Sequence, residues 1–187
     1  MMNRILFGWL LVLLAACQTE PQEKPDEYYL KYGDSLSAVA FQTIRGALQT
    51  AIADSGIEKA VRYCQLNALS LTHQFNTDSI KISRLAERYR NPQNQLTAES
   101  QPVWESYQSA IATGDSLHSV IVRTTHQVDY YKPILLQAMC SSCHGQPDSN
   151  IPASLLSVID SLYPNDLAKG FSEGELRGVW QIRFQLP

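Results

Sequence analysis

The sequence predicts an α+β domain, an antiparallel sheet packed by helices, with the helices in the first half of the chain. Three observations predict it. Apolar residues recur at helical spacing early, the two-residue strand period takes over late, and no strand-helix-strand unit repeats, which argues against a doubly wound sheet.

Residues 35–53 carry Leu36, Val39, Ala40, Thr43, Ala47 and Leu48 at helical intervals, with Asp34 or Ser35 placed to cap the helix and Gly56 to stop it. A second helix, residues 57–75, sets Val61, Cys64, Ala68, Leu71 and Phe75 on one stripe, so Cys64 is expected to face inward. Residues 80–85 alternate Ile80 and Ile82 with Lys81 and Ser83, the strand period, and lead into a basic, turn-rich run to residue 94. A helix over 97–112 follows, apolar at Val103, Tyr107, Ala110 and Ile111 and ended by Gly114. Residues 117–125 and 128–131 are rich in β-branched and aromatic side chains. The last run sets Trp180, Ile182, Phe184 and Leu186 against Gln181, Arg183 and Gln185, which predicts a strand with one buried face.

A length of 187 residues, 44% of them hydrophobic and 18% charged, suits one domain with a real core rather than a disordered chain. The net charge of −3 provides no broad basic field, so nucleic acid is not expected as a partner. Arg4, then an apolar run over residues 5–14 and small residues beyond it, reads as an export signal. The run is shorter than the roughly 20 residues a membrane span needs. Leu14-Ala15-Ala16-Cys17 looks like a bacterial lipobox, which makes Cys17 the acylated first residue of the mature chain and places the protein outside the cytoplasm on a lipid anchor. The competing reading is an ordinary signal with a chance cysteine. Residues 18–33, polar and broken by Pro21 and Pro25, are expected to be a tether, and residues 34–187 the domain.

Cys140-Ser141-Ser142-Cys143-His144 is the c-type haem attachment pattern. Two intervening residues let both thiols reach vinyl groups of one rigid ring, and the next residue falls beneath the iron. Chance would produce this pattern in only about two chains in a thousand of this composition. Two other readings compete. A thiol-disulfide centre at Cys140 and Cys143 expects a βαβ context and a helix starting at the motif. A zinc site expects a second close ligand pair, which His118 and His126 match poorly. His73, His118 and His126 are expected at the surface, with His118 or His126 as an outside candidate for a sixth iron ligand. Met139 cannot easily reach the opposite face, so the His/Met pairing lacks its Met. Cys64 is then the remaining candidate, against the plain alternative of an inert core thiol. Lys81, Arg84, Arg88 and Arg90 are candidate partners for haem propionates or simply a solvated basic face, and Tyr130, Tyr131 and Trp180 are candidate haem-lining residues or plain core.

Ala60-Val61-Arg62-Tyr63-Cys64, Arg90-Asn91-Pro92-Gln93-Asn94, Tyr131-Lys132-Pro133-Ile134, Cys140 to Gly145, and the stretch from Tyr163 to Phe171 leading to Gly174-Glu175-Leu176-Arg177-Gly178 occur in this order. Together they resemble the single-haem c-type domain family with a PAS-like fold, found alone and as an extracytoplasmic part of sensor kinases. The resemblance covers nearly all of the domain. It implies one covalent haem, with Cys64 as the distal axial ligand opposite His144. It implies a redox or small-ligand sensor or a one-electron carrier rather than an enzyme, because two protein ligands leave iron no open position. The expected partners are a redox protein or a small diatomic ligand. A second version is a ligand-gated switch, in which Cys64 leaves iron on reduction. No output module follows the domain in this chain, so a sensor role borrowed from fused relatives would lack its kinase.

Overall fold

The structure is a computed structural model and describes residues 23–186. Nine elements follow one another: α1 (Asp26–Ser55), α2 (Ile57–His73), β1 (Ile80–Leu85), α3 (Gln101–Thr113), β2 (Val120–Arg123), β3 (Gln127–Leu135), α4 (Ser141–His144), α5 (Ala153–Leu162) and β4 (Leu176–Gln185). The four strands form one antiparallel sheet in the order β1-β4-β3-β2. The α+β architecture read from the sequence is the one observed.

Helix α1 covers one face of the sheet. Tyr29 and Ala40 pack on Ile82, Val128, Tyr130, Trp180, Ile182 and Phe184, the alternate residues of three strands. The approach is close enough to require Gly33, where an added Cβ would lie 2.4 Å from the Tyr130 ring. On the opposite face α3 brings Val103, Trp104 and Tyr107 against Leu85, Tyr131, Leu176 and Val179. The final strand is therefore buried on both sides rather than one: Val179 is fully buried and Gln181 is buried with its amide donating to Tyr131 Oη at 2.8 Å. The polar alternation marks a face that hydrogen bonds and α3 cover, instead of a face in water. Tyr130 and Tyr131 are thus core, and Trp180 packs into the α1 cluster.

Helix α1 begins at Asp26, nine residues before the predicted start, so residues 26–33 belong to the domain and not to a tether. Pro25 occupies the N-cap, just outside the helix, where its missing N–H takes no bond from the helical ladder, and Asp26 and Glu27 complement the positive end of the helix dipole. Asp34 consequently sits inside the helix. It accepts from Tyr130 Oη at 2.6 Å, Lys132 Nζ at 2.8 Å and Ser119 Oγ at 3.1 Å, tying α1 to the sheet instead of capping anything. Strand β3 runs four residues past the predicted end, through Pro133. Strand β2 pairs only as far as Tyr131, so the edge that Pro133 cannot serve carries no partner strand there. No helix among the described residues is long and apolar enough to cross a membrane. Cys17, expected to be acylated, and the expected export signal before it lie outside the described residues.

Candidate functional site

The Cys140 to His144 motif follows β3. Residues 138–140 make a single 3-10 turn, and α4 continues it for one turn through His144, where Gly145 ends it. Gly145 is crowded: a Cβ there would meet the Ser141 carbonyl at 2.5 Å and Asn150 at 2.6 Å, so the chain can fold back under the turn only without a side chain. The two thiols face different neighbours. Cys140 packs with Leu136, Ala168 and Phe171, and Cys143 with the cluster of Val61, Ile151, Leu155 and Ile159 that joins α2 to α5. All three described cysteines are free and half-buried. Burial pushes the Cys143 thiol up, Arg90 pulls it down, and Cys64 and Cys140 push it up further, which puts Cys64 of α2 electrostatically next to the motif.

The returning loop holds the motif by its backbone. His144 O accepts from Phe171 N–H at 2.9 Å and Gly145 O from Gly170 N–H at 2.8 Å. Arg90 spans the site: its Nη2 donates to Cys143 O at 2.6 Å and pairs with Asp166 at 3.0 Å. The Asp166 side chain is fully buried. His144 Nδ1 lies 2.8 Å from Ala168 O, a geometry that makes Nδ1 the donor and leaves the Nε2 lone pair free. Burial first, then the guanidiniums of Arg90, Arg177 and Arg84, hold the imidazole well below its usual range, although Ala168 O pulls the other way; the ring is neutral and a competent metal ligand.

Cys64 stands on the inward stripe of α2, as its spacing predicts. Burial raises its thiol, and Arg84 and Arg90 oppose the rise. Tyr163, pushed up to about 12 chiefly by burial, shares the neighbourhood of Cys64, Arg90 and Arg84. The structure therefore gathers Cys64, Cys143, His144, Arg84, Arg90 and Tyr163, which lie far apart in sequence. It does not bring His73, His118 or His126 to them: all three are exposed. His126 sits in the β2–β3 hairpin, at the opposite end from the motif of strand β3, which is itself roughly 26 Å long at 3.3 Å per residue.

The predicted basic run divides. Lys81 is exposed and donates to Thr77 O at 3.0 Å, a surface residue. Arg88 stacks on Phe171 at 4.0 Å, binds the Lys169 carbonyl and pairs with Glu175 at 3.5 Å. Only Arg84 and Arg90 turn toward the motif. Arg177 joins them and was missed, because a lone arginine at the start of an alternating strand carries no local signal. Helix α5 was also missed; it is short, and it supplies the Leu155 and Ile159 wall behind Cys143. A helix does start at the motif, as the thiol-disulfide reading expects, but it is one turn long, and the all-antiparallel sheet lacks the βαβ context that reading also needs.

A family model described as Tll0287-like: Tll0287 matches residues 16–185. The crystal structure of the cyanobacterial heme-protein Tll0287 matches with a TM-score of 0.57 at 22% sequence identity, covering 88% of this chain and 97% of that chain. At that identity the likeness shows the shared fold. No curated protein matches.

Proposed function

Because the chain belongs to the Tll0287-like family, we propose that it is a haem protein of the single-haem c-type kind with a PAS-like domain, held to a bacterial membrane outside the cytoplasm through Cys17. The observation that carries the reading is the convergence of Cys64, Cys143 and a neutral His144 in one half-buried site, at a motif whose spacing suits thioether attachment. The donor set fits the group. Cys140 and Cys143 are free thiols, each able to add S–H across a vinyl double bond with no net change in oxidation state. His144 has its Nδ1 occupied by Ala168 O and offers Nε2 as the proximal ligand. Cys64 is the candidate distal ligand.

Haem bound there supplies one-electron chemistry. Cys64 on α2 and His144 on α4 would hold the iron from separate elements, with the guanidiniums of Arg84, Arg90 and Arg177 around them. With both ligands in place no position is open to substrate, so the reading is an electron carrier or a redox sensor rather than an enzyme, with a redox protein as partner. A second version is a gated receptor for a small diatomic ligand, in which Cys64 would leave iron on reduction. Carbon monoxide uptake by the reduced protein separates them, since only the gated version binds it.

The attachment is tested by changing Cys140 and Cys143 to Ser. The denatured band of the unmodified protein is expected to keep haem-linked peroxidase staining and the double variant to lose it; staining that survives sinks the reading. Cys17→Ala is expected to abolish acyl labelling, and a labelled variant would remove the anchor from the proposal.

A further inference from the structure

Four arginines stand at this end of the sheet, three of them, Arg84, Arg90 and Arg177, turned toward the motif, and they differ in what neutralises them. Arg90 is paired with Asp166 and Arg88 with Glu175. Arg84 and Arg177 make no ion pair among the described residues. Arg84 spends Nε on Thr72 Oγ1 at 3.2 Å and Nη2 on Ala68 O at 3.1 Å, both neutral acceptors. Arg177 gives Nη1 to Arg88 O at 3.1 Å, while its Nε is buried with no hydrogen-bond partner. Burial lowers both guanidiniums, Arg177 to about 10. Both residues are half-buried, and only Asp166, already paired with Arg90, opposes the fall at Arg177; a guanidinium withdrawn from water without an ion pair of its own is costly, and so is an orphaned buried donor. Neither is a feature that folding alone would place beside a third charged residue of the same sign.

The site's charges suggest the counter-ion. Ferric iron, the doubly deprotonated porphyrin and one thiolate from Cys64 sum to zero, so axial ligation leaves Arg84 and Arg177 uncompensated. The remaining charge on haem is two propionate carboxylates, and a guanidinium meets a carboxylate in a planar two-bond fork. We propose that Arg84 and Arg177 together hold the two haem propionates, with the free Nε of Arg177 as one of the donors. Arg90 is excluded from that role by its contacts with Asp166 and Cys143 O. The assignment replaces the wider basic run, in which Lys81 and Arg88 were candidates and Arg177 was not. It rests on the haem reading above.

The test uses the full holoprotein with isotopically labelled propionate carboxyl carbons, followed by nuclear magnetic resonance across pH. In the unmodified protein both carboxylates are expected to titrate about 1–3 units below an ordinary side-chain carboxylate, as a carboxylate beside arginine does. Two ordinary values overturn the proposal without any variant having to fold. Arg177→Gln is expected to raise one propionate by about 1–3 units and Arg84→Gln the other, with Lys at either position restoring part of the shift. A purely structural arginine would change stability and leave both titrations where they were, which also overturns it. The haem stain keeps the two readings apart: a colourless denatured band refutes haem attachment, whereas a stained protein with ordinary propionates refutes this assignment alone.

Discussion

The two ends of the sheet treat charge in opposite ways. At the hairpin end and beneath α1, the half-buried charges among the described residues have side-chain partners: Asp129 takes Arg183 through two bonds of 2.8 and 2.9 Å, Asp34 takes Lys132, and Arg123 takes Glu23 and Asp26. At the motif end four guanidiniums face two carboxylates. The first region is balanced by the chain itself and serves the fold. The second carries surplus positive charge next to thiols and a neutral imidazole, which is the signature of a site shaped for an anionic group. Changes at the first end should therefore cost stability and spare the haem spectrum, and changes at the second should do the reverse.

Asp129→Ala is expected to have the largest effect on stability, about 3 kcal/mol, because it strands the Arg183 guanidinium in a half-buried place; urea denaturation measures it, with the visible spectrum unaltered. Gly33→Ala should cost about 2 kcal/mol by driving a methyl group into the Tyr130 ring, again without spectral change. A loss of haem in either variant would break the division. Cys64→Ala is expected to cost 1 kcal/mol or less, since a half-buried sulfur leaves little void. It should nevertheless convert a low-spin ferric signal with narrow g-anisotropy to a different one and raise the reduction potential, with haem still attached. An unchanged spectrum would return Cys64 to the inert core. The smallest effect is at Asp34. Burial pushes its carboxyl up, but hydrogen bonds from Lys132 and Tyr130 outweigh that and hold it below the usual value. Its contribution is therefore present above the unfolded-state value, about 3.9, and lost as pH falls through the lower folded value. The melting temperature should drop more steeply with acid in the unmodified chain than in Asp34→Asn.

Local patterns were legible where one period dominated. Strand β1 begins and ends where Ile80 and Ile82 alternate with Lys81 and Ser83, and Gly114 takes the left-handed conformation, φ 77°, that its place after a helix predicts. The Cys140 to His144 motif is a five-residue signal that stands out in the sequence without reference to the fold. What escaped depended on contacts between distant segments. The start of α1 was hidden because Pro25 reads as a break when it is in fact an N-cap, and only packing on the sheet, through Tyr29 and Gly33, stabilises the two turns before Asp34. Strand β4 looked half-exposed because the sequence cannot say that α3 lies over Gln181's side of the sheet. Arg177 is the sharpest case. It is an ordinary residue in its own segment, and becomes part of the site only through its neighbours Arg88 and Phe171 and its electrostatic reach to His144.

Arg123 grips Glu23, Asp26 and the Lys24 carbonyl, so the described chain joins the domain at the β2–β3 hairpin. The motif lies beyond the other end of β3, roughly 26 Å along a nine-residue strand. The hairpin and the Cys140, Cys143 and His144 motif therefore stand at opposite ends of one strand, with Glu23 on the hairpin's side. Strand β3 then acts as a rigid spacer. Its length separates the point where the described chain joins the domain from the end of the sheet that carries Cys140, Cys143 and His144.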